Sequence, residues 1–301
     1  MRWLLVTLFL AFTPALQAQA PEVAVKEDVI YGRKFGVALT MDVFSPGGTK
    51  NGAGIIMAVS GGWYSDKTAI NRFFFNEMLK RGYVVFAVVH GSQPKFTIPE
   101  VLEDMNRATR FIRYHAKEYG VDPERIGITG GSAGGHLSLM QGCASQPGND
   151  KAKDPVDRVS SKVAAVGCFF PPTDFLNYGK EGEICLGTGT LKEFWAPFDF
   201  HKFDGKRGFT PVTDMEKRKE LGKKISPIYY VTKDSAPTLI IHGDADKLVP
   251  IQQAELIIAK LKENNVPCEL VTKPGKQHGW AGMEKDIVTI ADWFDKYLAK
   301  K

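Results

Sequence analysis

Ser132 lies in Gly130-Gly131-Ser132-Ala133-Gly134, directly after the apolar run Ile126-Gly127-Ile128-Thr129 and ahead of a helix-compatible stretch, His136 to Ala144. A serine at such a strand-to-helix turn has its hydroxyl pushed out above the end of the sheet, and small neighbours are needed because the backbone there is strained and crowded. The chemistry this permits is nucleophilic attack on an acyl group, provided that a base takes the serine proton and a third group orients the base. A Gly-x-Ser-x-Gly pattern alone also suits an ordinary glycine-rich loop, so its partners decide. Thr238-Leu239-Ile240-Ile241-His242 reads as a buried strand ending in Gly243-Asp244-Ala245-Asp246. Cys268-Glu269-Leu270-Val271-Thr272 reads as a second strand, followed by the loop Pro274-Gly275-Lys276-Gln277-His278-Gly279-Trp280. Carboxylates and a histidine therefore sit on loops at the carboxyl ends of strands, in the chain order Ser, Asp, His. That order differs from those of the chymotrypsin and subtilisin folds.

Among the histidines, His278 has the context of a base. His242 ends a strand and His136 opens the helix behind Ser132, so both are expected to be structural, bonded to backbone; His90, His115 and His201 have no such context. Asp244 and Asp246 both lie on the loop after Ile241-His242, and Asp244, directly after His242-Gly243, stands where a short acid closes a turn by bonding nearby amides. Asp244-Ala245-Asp246 also supplies the first two acids of a calcium loop, but Leu248 and Val249 stand where a ligand and a glycine are required. No spacing resembles a zinc site, and no cofactor is called for.

Strands are expected near Glu27 to Tyr31, Leu39 to Phe44, Ile55 to Val59, Val84 to Val89, Ile126 to Thr129, Val163 to Phe169, Thr238 to His242 and Glu269 to Thr272. Helical patterns fall at Ala69 to Arg81, Pro99 to Tyr119, His136 to Ala144, Ile251 to Asn264 and Glu284 to Leu298. Alternation of this kind implies an α/β fold, a mostly parallel eight-stranded sheet covered on both faces. The stretch from about residue 170 to 235 is poor in strand pattern and rich in Gly, Pro and aromatics, and reads as a cap inserted into one domain spanning 21–301. With 301 residues and 44% hydrophobic content, the chain can bury one large core. A net charge of +5 is mild, and the densest basic run, Lys217 to Lys224, is interrupted by Glu220 and Gly222, which reads as a solvated helix face rather than a nucleic-acid site. Met1-Arg2, the apolar stretch Trp3 to Ala15 and Ala18-Gln19-Ala20 read as a secretory signal peptide cleaved near residues 18–20, which predicts a secreted or periplasmic protein without stable membrane insertion. Export makes the four cysteines eligible for disulfides. Cys168 and Cys268 are expected to be free in buried strands, and a Cys143–Cys185 bridge stays open.

With these segments in view, the chain resembles the α/β-hydrolases of the bacterial esterase/lipase group, close to the acetyl-esterase and feruloyl-esterase-like families. The likeness runs from about Lys26 to the C-terminus, through Val59-Ser60-Gly61-Gly62-Trp63, Tyr119 to Ile126, the turn through His136, Pro171-Pro172-Thr173-Asp174, Ser226-Pro227, His242 to Pro250 and Gly275 to Trp280. The resemblance implies a serine esterase with Ser132 as nucleophile, His278 as base and Asp246 as acid, the last from the pattern His-Gly-x-x-Asp-x-x-Val-Pro. It implies an oxyanion hole from the amides of Gly61, Gly62 and Ala133. The family usually carries His-Gly-Gly-Gly-Trp where this chain has Val59-Ser60-Gly61-Gly62-Trp63, so the histidine that usually braces the loop is missing. Trp63 and Trp280 are expected to contact substrate. Phe175, Tyr178, Phe194, Trp195, Phe198, Phe200, Phe203 and Phe209 are expected to narrow an acyl pocket for short chains. Small-molecule esters, or acetylated or feruloylated polysaccharide, are the implied substrates. A serine peptidase of the prolyl-oligopeptidase kind and a noncatalytic binding protein of the same fold are the alternatives, and the oligomeric state is left open.

Overall fold

The computed structural model describes residues 22–206 and 208–300, so the leader expected over residues 1–20 lies outside the described residues. In chain order the elements are β1 (Ala24–Lys34), β2 (Val37–Ser45), β3 (Gly54–Val59), α1 (Asn76–Lys80), β4 (Val84–Val89), α2 (Ile98–Tyr114), β5 (Ile126–Gly131), α3 (Ala133–Cys143), β6 (Ala165–Phe169), the short β7 (His201–Phe203) and β8 (Phe209–Pro211), α4 (Met215–Lys224), β9 (Thr238–Gly243), α5 (Gln252–Glu263), β10 (Cys268–Lys273) and α6 (Glu284–Leu298). Eight strands form one sheet in the order β1-β2-β4-β3-β5-β6-β9-β10. β2 is antiparallel to both neighbours, and every pair from β4 to β10 is parallel. This is the α/β-hydrolase sheet expected from the sequence. From β3 the chain steps to one side to form β4 and then crosses back to the other side to form β5. The crevice at that reversal, beyond the carboxyl ends of β3 and β5, is where such sheets bind ligands.

The central strands β3, β4, β5, β6 and β9 are apolar on both faces because helices cover both. Ile56, Ala58, Phe86, Val88, Ile128 and Ile240 pack with Val101, Met105 and Ile112 of α2, Leu137 of α3 and Ile257 of α5. Their chain neighbours Ile55, Met57, Val85, Ala87 and Ile241 face the opposite way, against Met78 of α1 and Ile287, Ile290 and Phe294 of α6. This alternation is the two-residue period of a strand, and burial of both phases is what turned these segments into continuous apolar runs.

The expected helix over 69–81 shrinks to α1. Asp66 and Asn71 each accept a hydrogen bond from the amide two residues on, at 2.7 and 3.0 Å, and each starts a separate 3₁₀ turn before α1 begins. Such side-chain bonds compete with a continuous helix. By contrast α2 opens with a complete capping box, in which Glu100 accepts from the Thr97 amide at 2.7 Å, an arrangement that stabilises by about 1 kcal/mol. Between β6 and β9 the chain forms the β7–β8 hairpin and α4, and Phe175, Tyr178, Phe198 and Phe200 are buried at the centre of this segment. α4 carries the basic run, its first turn capped by Asp214, which accepts from the Lys217 amide at 2.9 Å. The four cysteines are free. The Cys143–Cys185 bridge left open by the sequence is not formed, and the Cys185 thiol donates to the Thr188 carbonyl at 2.9 Å.

His90 and His136 are buried, and burial lowers both from 6.5 to about 4. The unfolded chain therefore takes up more protons than the folded one between those values, which makes stability fall as the pH drops from about 6.5 towards about 4 and level off below. Urea unfolding midpoints measured between pH 4 and 8 should show this decline, and replacing either histidine by glutamine should flatten it.

Candidate active site

Ser132 joins β5 to α3 with φ 55° and ψ −120°, a conformation that costs a side-chain-bearing residue roughly 1–3 kcal/mol. It is held on both sides, its amide donating to the Phe169 carbonyl at 3.0 Å and its carbonyl accepting from the His136 amide at 2.9 Å. The flanking glycines are required by close approach. A Cβ on Gly130 would lie 2.6 Å from the Gly134 carbonyl group, and one on Gly134 would lie 2.6 Å from the Ala58 carbonyl oxygen. Side chains at these positions would push α3 away from β5 and β3.

The Ser132 Oγ lies 2.9 Å from His278 Nε2, and His278 Nδ1 lies 2.7 Å from Asp246 Oδ2. An ionised carboxylate only accepts, so Nδ1 carries the ring proton and Nε2 is left to accept from the serine hydroxyl. The carboxylate itself is out of water. Its Oδ1 accepts from the amides of Leu248 and Val249 at 2.9 and 3.0 Å, and its Oδ2 also lies 3.4 Å from His242 Nε2. Burial alone would raise the Asp246 pKa, but hydrogen bonds from His242, His278 and the Val249 amide outweigh it and hold the carboxyl well below the usual range. His242 is buried as expected and donates from Nε2 to the Val249 carbonyl at 2.8 Å, which pins the far side of the same loop.

Asp244 is brought to a different partner. Its Oδ1 accepts from the Gly275 amide at 2.6 Å, and the Ala245 amide donates to the Lys276 carbonyl at 3.0 Å. It ties the loop after β9 to the loop that carries His278.

The loop after β3 departs from expectation in one atom. Gly61 and Tyr64 exchange both backbone hydrogen bonds, at 3.0 and 2.9 Å, around central residues Gly62 and Trp63 whose φ values are 54° and 56°. Positive φ at both central positions is the signature of a type I′ turn. The Gly61 amide is therefore committed to the Tyr64 carbonyl, and the amides without an acceptor among the described residues are those of Gly62 and Trp63. Ala133 is the first residue of α3, where an amide has no intrahelical acceptor. The unengaged amides of this turn and of the start of α3 are thus those of Gly62, Trp63 and Ala133.

The Trp63 side chain is a second correction, since at 2% exposure it faces the interior and packs against Phe175 and Phe198. Trp280 is half-buried and donates its indole N–H to Asp286 Oδ2 at 2.7 Å. Of the aromatics expected to narrow the pocket, Phe175, Tyr178, Phe198 and Phe200 fill the interior, while Trp195, Phe203 and Phe209 are exposed. Phe194 is the one set against the turn after β3, its ring 2.5 Å from where a Gly62 Cβ would stand. Phe170, which the sequence reading passed over, has its ring centroid 4.4 Å from that of His278. Its only signal was its place directly after a strand whose carboxyl end faces the site. Among the described residues no group of three His, Cys, Asp or Glu side chains is placed to hold a metal ion.

A model of the BD-FAE family matches residues 41–261. The chain is similar to a probable carboxylic ester hydrolase, LipM, of Mycobacterium tuberculosis, 26% identical over 259 residues that cover 84% of this chain and 56% of the relative. It is also similar to the esterase LipQ of the same organism, 28% identical over 189 residues, 62% of this chain and 40% of the relative. The chain thus spans about half the length of the curated relatives it matches. Among solved structures, a truncated form of a carbohydrate esterase from gut microbiota superposes with a TM-score of 0.74 at 25% identity, covering 94% of this chain and 99% of that one. A thermophilic esterase from Thermogutta terrifontis superposes with a TM-score of 0.67 at 25% identity, covering 93% and 92% of the two chains. With its α/β-hydrolase sheet and a match over most of its length, the chain belongs to the BD-FAE family.

Proposed function

We propose that this protein is an exported serine carboxylic-ester hydrolase that acts on short acyl esters, with acetylated or feruloylated polysaccharide as the natural substrate class. The observation that carries the reading is the unbroken chain from the strained Ser132 through His278 to a buried, fully hydrogen-bonded Asp246. The likeness to a carbohydrate esterase and to carboxylic ester hydrolases supports the substrate class. Residues 170–235 act as a cap in this reading, and export rests on the leader read over residues 1–20.

In the reaction, Ser132 Oγ attacks the ester carbonyl carbon as His278 Nε2 takes the hydroxyl proton, and the carbonyl oxygen becomes an oxyanion. The amides of Ala133, Gly62 and Trp63 are the donors for that charge, preset so that no reorganisation is needed. Asp246 holds the imidazole in the Nδ1–H tautomer and stabilises the imidazolium. The proton then passes from Nε2 to the departing alkoxide, leaving an acyl-serine. Water attacks the acyl carbon with Nε2 again as base, which releases the acid and restores Ser132.

Ser132→Ala should abolish hydrolysis of chromogenic acetate esters, a loss of roughly 10⁴-fold or more, in a protein that keeps its melting temperature. A folded variant retaining a tenth of the wild-type rate would refute the assignment. Running acetylated xylan, methyl ferulate and peptide anilides beside these esters separates the esterase from the peptidase reading.

Asp246→Asn keeps the shape but favours the wrong tautomer, and by the serine-protease precedent should lower kcat by about 10⁴-fold. Asp244→Asn should leave kcat near wild type and mainly lower the melting temperature, since Asp244 bonds the Gly275 amide and not His278. The reverse pattern would refute the assignment of the acid.

Phe194 is set against Gly62 and Phe170 against His278, and in this reading the two rings narrow the space for the acyl chain. The ratio kcat/KM should therefore be largest for acetate or butyrate among acetate, butyrate, octanoate and palmitate esters. A maximum at octanoate or beyond would contradict a short-chain pocket.

A further inference from the structure

The loop from Val59 to Ser65 contains no histidine of its own, yet it is gripped from two sides by histidines of other elements. On one side the Ser60 hydroxyl lies 2.9 Å from His90 Nε2, while His90 Nδ1 lies 2.6 Å from the Gly91 carbonyl oxygen. A carbonyl only accepts, so the ring proton is on Nδ1 and Nε2 accepts from Ser60. On the other side the Trp63 indole N–H donates to His136 Nδ1 at 3.1 Å, while His136 Nε2 donates to the Ile225 carbonyl at 2.6 Å. An indole N–H only donates, so this ring too has one tautomer. Both rings are buried, and burial lowers both to about 4, which keeps each imidazole neutral and able to accept near neutral pH. Ser65 closes the arrangement, its hydroxyl donating to the Val59 carbonyl at 2.6 Å and accepting from the His90 amide at 3.2 Å.

We infer that His90 and His136 are positioning residues, two neutral imidazole acceptors that hold Ser60 and Trp63 and thereby fix the Gly62 and Trp63 amides where the oxyanion forms; the inference rests on the ester-hydrolase reading above. Neither ring touches substrate. His136 stands on α3 one turn beyond Ser132 and reaches Ile225 just after α4, so one ring references the loop to the nucleophile helix and to the segment between β6 and β9. A brace of this kind acts on the transition state more than on the bound ester, because the donors meet full charge only when the carbonyl oxygen becomes an anion.

The test uses Ser60→Ala and Trp63→Phe, each of which deletes one donor to a brace, with Ser60→Thr as the variant that keeps the hydroxyl. For a chromogenic acetate ester, kcat should fall about 10- to 100-fold in the first two, less than the loss on deleting an oxyanion donor outright, with KM changed by less than about threefold. Affinity for a trifluoromethyl ketone, whose serine adduct places an oxyanion on the same donors, should fall in parallel, and Ser60→Thr should restore both. Combining Ser60→Ala with His90→Gln should cost no more than the larger single effect, since both break one bond. Unchanged kcat with a lowered melting temperature, a loss confined to KM, or multiplicative losses in the Ser60–His90 pair would overturn the inference. A wild-type chain inert toward every ester would overturn the hydrolase reading and this inference with it, whereas an active wild type with unaltered variants overturns this inference alone.

Discussion

The backbone of Ser132 is the constraint on which the rest of the site depends. At φ 55° and ψ −120° it is unfavourable for any residue with a side chain, so it persists only because neighbouring elements allow no relaxed alternative. The start of α3 is wedged against Ala58 of β3, and both backbone groups of Ser132 are bonded, to Phe169 at the end of β6 and to His136 in the next turn of helix. Relaxing the serine would break these bonds or open the contact with β3. The hydroxyl is thus placed by the backbone of the sheet, and the order that a bimolecular encounter would have to create is already built in.

A second set of constraints brings the other two side chains to that hydroxyl. β9 and β10 are parallel and in register, His242 opposite Thr272 and Gly243 opposite Lys273, so their loops leave the sheet at the same level, one strand spacing apart. Gly243 lies so close to the next loop that a Cβ there would stand 2.2 Å from the Lys276 carbonyl oxygen, and Asp244 adds its bond to Gly275. These contacts hold two loops far apart in sequence as one unit. Asp246 can then be buried without loss of its charge, because both of its carboxylate oxygens have donors, Oδ1 the Leu248 and Val249 amides and Oδ2 the His278 ring N–H.

All eight sheet strands were legible in the sequence: burial on both faces writes the central ones as apolar runs, while the edge strands β1 and β10, exposed or half-buried for most of their length, show only as shorter stretches rich in β-branched residues. That the side chains of Ser132, Asp246 and His278 meet was legible for a related reason. Each stands directly beyond the carboxyl end of such a strand, where topology leaves little freedom of placement. What the sequence hid were matters decided between segments. The helix expected over 69–81 gave way to local side-chain bonds at Asp66 and Asn71. Phe170 has no motif of its own, and its contact with His278 depends on the bend that follows β6. The aromatics between β6 and β9 announced a packed cluster, but composition does not say whether such a cluster faces a ligand or its own interior.

The amide of Gly61, expected from the resemblance to serve an oxyanion hole, was hidden in the same way. Two adjacent glycines suggest two free amides, but in this two-residue hairpin the first and fourth residues exchange both backbone bonds: the Tyr64 amide closes the turn onto the Gly61 carbonyl, and the Gly61 amide is taken by the Tyr64 carbonyl. The free amides are then those of the two central residues, which obliges Trp63 to adopt φ 56°, at a cost of about 1–2 kcal/mol for a residue with a Cβ. Only packing can offset that. The indole is enclosed by His136, Phe175 and Phe198, with ring centroids at 5.6, 5.7 and 5.1 Å, two of them from the segment between β6 and β9. Aromatic contacts of this geometry contribute about 0.5–1.5 kcal/mol each beyond their buried area, enough together to hold the turn. The aromatics that looked like the wall of a pocket thus pack behind the loop, and in the proposed reading they keep in place a tryptophan that would serve the oxyanion with its backbone and not its ring.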